Sequence, residues 1–221
     1  MGFIDILPSS IRIALLYVGS SKIAKKDGKS NKEKLQLILK KEKFWQGTKG
    51  FVPTGKGEVN SPALCIGMRD MAGIFVKLHS PDDALRYLNG IGGKLMTSLN
   101  NLPNDKQHAH KRQSIYEAQI FAWLHEATAY AQKNDVNRVK GAFDKMNQNL
   151  LSAIESDPSN KRLHDIYLYM IESTFNTFID MAKEYSANKQ NIYRTCLDLL
   201  MTYDQRDPGN DMINEFIGRF H

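Results

Sequence analysis

The chain has 221 residues, of which 42% are hydrophobic and 24% charged, and it carries a formal net charge of +6. That profile supplies enough apolar side chains for one large core or two small ones, and it excludes a collagen-like, low-complexity or disordered polypeptide. Cys65 and Cys196 lie far apart and have no second Cys or His at ligand spacing, which argues against a disulfide framework or a zinc site and points to a reducing, cytoplasmic setting.

The first apolar run, Ile13 to Val18, follows Arg12 and is far shorter than the roughly 20 residues that a membrane span requires. Lysines come after this run and not before it, so it does not resemble a secretory leader, and the mature chain is expected to start near Met1. A helix is predicted over Ser10 to Lys26, with Gly19 weakening its second half by about 1 kcal/mol relative to Ala. Lys32 to Trp45 is a second helix, with Leu35, Ile38 and Leu39 on one side. Gly47, Gly50, Pro53, Gly55 and Gly57 mark residues 46–60 as the clearest loop, in the form of a Gly-rich finger. Ser61 and Pro62 then make an N-cap and N1 pair opening a helix to about His79. Ser80 and Pro81 repeat the device, with Asp82 and Asp83 complementing the macrodipole, and that helix is predicted to run toward Leu99 past weak points at Gly90, Gly92 and Gly93. Asn100 to Asp105, with Pro103, is the best linker candidate.

The second half is more regular. Ile115 to Lys133 and the helix after it form an αα-hairpin broken at Asn134 and Asp135. Val136, Val139, Phe143, Met146, Leu150 and Ala153 alternate at spacings of three and four, which draws one seam along a helix face. A third helix, about Lys161 to Tyr185, is apolar over a wide face and is expected at the centre, and a fourth carries Ile192, Cys196, Leu199 and Tyr203. Residues 211–221 form an amphipathic tail too short to hold helix alone, so it is expected to dock on the bundle or on a partner. Asp157-Pro158-Ser159-Asn160 recurs as Asp207-Pro208-Gly209-Asn210; two units are too few for a repeat array, so both read as helix breaks. The expected fold is all-α: a basic helical N-terminal part over 1–104, a four-helix bundle over 105–206 and a tail over 207–221.

Charge is unevenly placed. Between Lys22 and Lys56, eleven lysines face only Asp27, Glu33 and Glu42, a net of +8 against −2 for the rest of the chain. A clustered field of this kind either solubilises a helix face or steers a polyanion. Lys40, Lys41, Lys43, Lys49 and Lys56 interleave with Phe44, Trp45 and Phe51, so Lys40, Lys41, Lys43, Trp45, Lys49 and Lys56 are candidate anion or nucleic-acid contacts, the rings for stacking and the ammoniums for phosphates.

Signs of catalysis are weak. Gly50 to Gly57 follows a phosphate-binding loop pattern until its last position, where Gly57 replaces the metal-binding hydroxyl, and a helix precedes it where a strand should. His108 and His110 lack a third ligand, His125-Glu126 lacks a second His one turn on, and His79 and His164 read as ordinary surface or satisfied histidines. No acid, base and nucleophile set emerges, so the reading is non-enzymatic, with no cofactor and no metal.

Ile166-Tyr167-Leu168-Tyr169-Met170 is similar to the Leu-Tyr-Asp-Tyr-Met stretch of the bacterial flagellin export chaperone family, with Leu168 in its acidic position. Phe121 to Ala127 is similar to that family's apolar run ending Leu-Tyr-Asp-Gly, with His125 for Tyr and Ala127 for Gly. The resemblance spans roughly residues 113–205 and has no counterpart for the basic first hundred. It implies a chaperone-like adaptor holding an amphipathic segment of a protein partner in an apolar groove, with Trp123, Leu124, Tyr167, Tyr169 and Met170 as groove candidates, each of which is also a natural core residue. The alternative is a nucleic-acid-binding protein, or a subunit of a nucleoprotein complex, that uses the lysine-rich segment 22–56.

Overall fold

Five helix starts fall where the sequence supplies a side-chain acceptor for the first free amides. The computed structural model describes residues 3–52, 61–105 and 107–220, and those residues are all-α, without a strand among them. The helices are α1 Phe3–Ile6, α2 Ser9–Ala24, α3 Asn31–Gln46, α4 Pro62–Lys77, α5 Pro81–Leu88, α6 Ile91–Asn100, α7 Ala109–Gln132, α8 Val136–Ser156, α9 Lys161–Glu184, α10 Lys189–Arg206 and α11 Asp211–Gly218. Ser30, Ser61, Asp135, Asn160 and Asn210 each accept a backbone N–H from the first turn of the helix that follows. Ser30 also makes a full capping box, because the Glu33 carboxylate returns to the Ser30 amide at 2.8 Å. That bond holds the Glu33 carboxyl below its usual range.

The chain divides into two compact units, Met1–His125 and Glu126–His221, with the division falling inside α7, downstream of the Pro103 segment. In the first unit α2 and α3 pair antiparallel, α4 packs on α2, α5 and α6, and the core is Ile13, Leu16, Ile38, Met71, Phe75 and Leu95, all without solvent exposure. Phe75 stacks on Tyr87 at 5.5 Å. The single helix expected from Ser80 toward Leu99 is two: Gly90 takes φ +73° and breaks it, a conformation that costs glycine little and other residues much. Ser80 also departs from expectation, since its hydroxyl donates to Asp83 at 2.7 Å and makes no cap bond. The first half of α7 is fixed within this unit by Gln119, which donates to the Gly92 carbonyl, and by Arg112, which donates to the Leu99 and Leu102 carbonyls.

In the second unit α8, α9 and α10 pack on one another. Every residue of the predicted seam, Val136 through Ala153, is buried. The wide apolar face of α9 is central, with Phe178 against Phe143 at 6.2 Å. The Tyr185 hydroxyl donates to the Gln132 carbonyl at 2.8 Å and so ties the end of α7 to the end of α9. The tail docks on its own bundle: Phe216 stacks on Phe175 at 4.3 Å, Phe220 meets Phe175 and Tyr193 edge-on, and Ile213 is fully buried.

Candidate functional site

A helix with lysines at many positions must distribute them, and α3 does so by face. Lys32, Gln36, Lys40 and Lys43, spaced four, four and three, are exposed and form one outward stripe. Phe44, 61% exposed, stands beside that stripe with its ring edge-on to the half-buried Trp45 at 5.2 Å. Lys41 is elsewhere. Its aliphatic stem occupies the space that a Cβ on Gly19 would fill, so it packs on α2. Lys49 is exposed just past the helix end, and Lys56 lies outside the described residues, as does most of the predicted finger. The stripe therefore holds Lys40 and Lys43 of the sequence set and adds Lys32, which local interleaving with aromatics does not select.

Charged residues in the interior of the first unit fix the end of α3. Glu42 lies on the inward face, is 4% exposed, and accepts two bonds from Arg86 at 2.5 and 3.0 Å and one from the Gln46 side chain at 2.7 Å. Arg86 also reaches Asp83 at 3.1 Å and covers the Tyr87 ring at 4.9 Å. Hydrogen bonding to Glu42 raises the Arg86 guanidinium further above its ordinary pKa, and burial raises the Tyr87 phenol.

Beyond Gln46 the chain is held from α1 and α2. Arg12, without solvent exposure, donates to the Gln46 carbonyl and to Ser9 Oγ, and its guanidinium faces the Phe51 ring at 5.9 Å. Ser9 Oγ in turn donates to the Val52 carbonyl, and the Thr48 amide donates to Asp5 at 2.9 Å. Gly47, at φ +65° and ψ −168°, is the residue around which Asp5 and Arg12 close; a Cβ there would meet the Asp5 carboxylate. That backbone region is essentially open to glycine alone. The base of the loop, residues 46–52, is thus clamped and not free.

The groove candidates of the sequence reading lie as follows. Trp123 is 7% exposed and packs over Gly92, and Leu124 is half-buried; both belong to the first unit. Tyr167 and Met170 are buried in the second unit, while Tyr169 is 47% exposed, with Leu168 and Met201 also exposed. Burial pushes the Tyr167 phenol up to about 12. Both thiols are buried and raised by burial, Cys196 to about 12. His108 pairs with Asp105 at 2.8 Å at the entrance to α7. Among the described residues no group of three or more His, Cys, Asp or Glu side chains is placed to hold a metal ion, and no helix is long and apolar enough to cross a membrane. A separate exposed apolar row, Ile11, Leu15 and Val18, runs along α2. Compared with protein-family models, curated proteins and solved structures, the chain matches none.

Proposed function

We propose that this chain is a non-catalytic binding protein and that its first unit contacts single-stranded nucleic acid along the outward face of α3. The observation that carries the reading is the stripe of Lys32, Lys40 and Lys43 with the exposed Phe44 at its edge, on a helix whose inner face is locked by Glu42 and Arg86. Ammoniums at helical spacing suit successive phosphates, and an exposed ring suits a base, a pairing worth about 1–3 kcal/mol per stacked base. Fluorescence anisotropy with single- and double-stranded DNA and RNA, at low and near-physiological salt, tests it. Three phosphate contacts predict a log–log salt slope near −2, at about −0.7 per contact on a single strand. Lys32→Glu/Lys40→Glu/Lys43→Glu should abolish binding and Phe44→Ala should weaken it. A flat salt dependence, or unchanged affinity in the triple variant, refutes the reading.

A second reading rests on the exposure of the large apolar side chains Leu168, Tyr169 and Met201 in the second unit, which favours an adaptor that receives an apolar segment of a protein partner, as the flagellin chaperone resemblance implies. It predicts a complex insensitive to salt and lost on Tyr169→Asp. Intact capture of that segment by Tyr169→Asp would dismiss it.

A further inference from the structure

Within the first unit α2, α3, α4 and His125 line a half-open cavity of about 450 Å³, inside the range of small-molecule sites. Lys25, Lys34 and Lys77 line it together with a single acidic residue, Asp70, which Arg69 already engages at 2.8 Å. The rim is therefore strongly cationic. Tyr17, Ser21 and Asn31, the first residue of α3, add side chains with hydrogen-bonding groups to the lining. The floor is apolar, from Ile74 and Leu78, and is completed by the His125 imidazole. That ring lies against the α4 backbone because residue 73 is glycine; a Cβ there would stand 2.7 Å from Nε2. Burial, together with the nearby Arg69 and Lys77, lowers the His125 pKa to about 4, so near neutrality the ring adds a donor and an acceptor without adding charge.

We propose that this cavity binds the phosphate end of a nucleotide-sized ligand, with Lys25, Lys34 and Lys77 taking the phosphate oxygens and Tyr17 and His125 bordering the uncharged remainder. Cationic rim, hydroxyl donors and a half-apolar floor match a phosphorylated organic molecule better than a bare ion or a wholly apolar one. The site is distinct from the outward stripe of α3, since Lys34 turns inward where Lys32, Lys40 and Lys43 do not. The same chemistry is offered by a free nucleotide and by the 5′-phosphate of a strand.

The test is calorimetric titration of the full chain with ADP, pyrophosphate, adenosine and a tetranucleotide with and without its 5′-phosphate, followed by NMR of the His125 ring protons. Binding of ADP, or tighter binding of the 5′-phosphorylated tetranucleotide than of its 5′-hydroxyl form, with no binding of adenosine, supports the proposal and identifies the source. Lys34→Glu and Lys77→Glu should each weaken ADP binding by at least about tenfold, a factor expected for loss and reversal of one phosphate-facing charge, whereas Lys183→Glu, on the surface of the second unit, should leave it intact. Gly73→Ala should displace the His125 resonances and lower affinity. If no phosphorylated probe binds at millimolar concentration, or if Lys34→Glu and Lys77→Glu bind as the parent does, the proposal is wrong, irrespective of the fate of the α3 stripe.

Discussion

Arg86→Met converts the Glu42–Arg86 pair into a measurement of what holds α3 in place. Glu42 is nearly dry, with 5% of its side chain exposed, whereas the Arg86 side chain is 46% exposed. Removing one partner of a buried pair costs about 3–5 kcal/mol, because the other charge stays in the interior. Water reaches the Arg86 side, so the expected loss is nearer about 2–3 kcal/mol. Glu42→Met is milder, at about 1 kcal/mol, since the guanidinium it leaves is half in water and keeps Asp83 at 3.1 Å. The double variant Glu42→Met/Arg86→Met should fall within about 1 kcal/mol of the parent, because apolar side chains of similar volume replace both charges. Urea titration followed by tryptophan fluorescence isolates the relevant unit, because both tryptophans, Trp45 and Trp123, lie in it. A single-variant loss under about 1 kcal/mol, or a double variant that loses the sum of the two singles, refutes the pairing as the lock on α3.

Three further outcomes follow from particular contacts. Gly47→Ala should cost about 3 kcal/mol, combining about 1–3 of backbone strain with loss of the Asp5 bond to the Thr48 amide, and should speed hydrogen exchange at Thr48; unchanged exchange there would mean that Asp5 does not clamp the loop base. His125 has a folded pKa of about 4 against 6.5 unfolded, so the unfolded chain binds the extra proton between these values, and stability complete above 6.5 falls by about 3 kcal/mol as pH drops to 4. His125→Gln should lack that decline, and an NMR titration midpoint near 6.5 in the parent would contradict the burial argument. Phe216→Ala should destabilise the second unit by about 3 kcal/mol and expose Phe175, read by thermal melting in circular dichroism; a melt equal to the parent's would mean that the tail adds nothing to that core.

The parts of the fold written in local chemistry were legible in the sequence. The cap at Ser61, the breaks at Asn134-Asp135, Asp157–Asn160 and Asp207–Asn210, and the three-four spacing of Val136 to Ala153 located helices and their buried faces, since these signals act within a turn or two; that Asp135, Asn160 and Asn210 also cap the helices that follow emerged only from the structure. The break at Gly90 was not legible, because three glycines stand within four positions and only tertiary packing selects the one that turns to positive φ. Side-chain direction on α3 was legible only by counting faces: Lys40 and Lys41 are neighbours in sequence, yet one joins the outward stripe and the other packs on Gly19. The cavity was out of reach, since Lys25, Lys34, Lys77 and His125 meet only after α2, α3, α4 and α7 assemble. The clamp was out of reach for the same reason; Arg12 and Gln46 are 34 residues apart, and Glu42 and Arg86 are 44.

The two units also differ in what they bury, and the difference bears on function. Among the described residues the buried charged side chains are Asp5, Arg12 and Glu42, all in the first unit, whereas the second buries only the uncharged polar residues Asn147 and Thr174. Apolar replacements at such sites are often as stable or more so, so buried charge is poor evidence of a stability role and better explained by the geometry it specifies. Here all three charges converge on one stretch of chain: Glu42 holds the inner face at the end of α3, Arg12 holds the Gln46 carbonyl, and Asp5 holds the Thr48 amide. That stretch carries Lys43, Phe44 and Lys49 outward. A chain that needed lysines only for solubility would gain nothing from orienting them, and a loop that needed only to connect helices would not require clamping at both its carbonyls and its amides. The desolvation cost therefore falls where the direction of the cationic face is set, which supports the binding role proposed for the first unit.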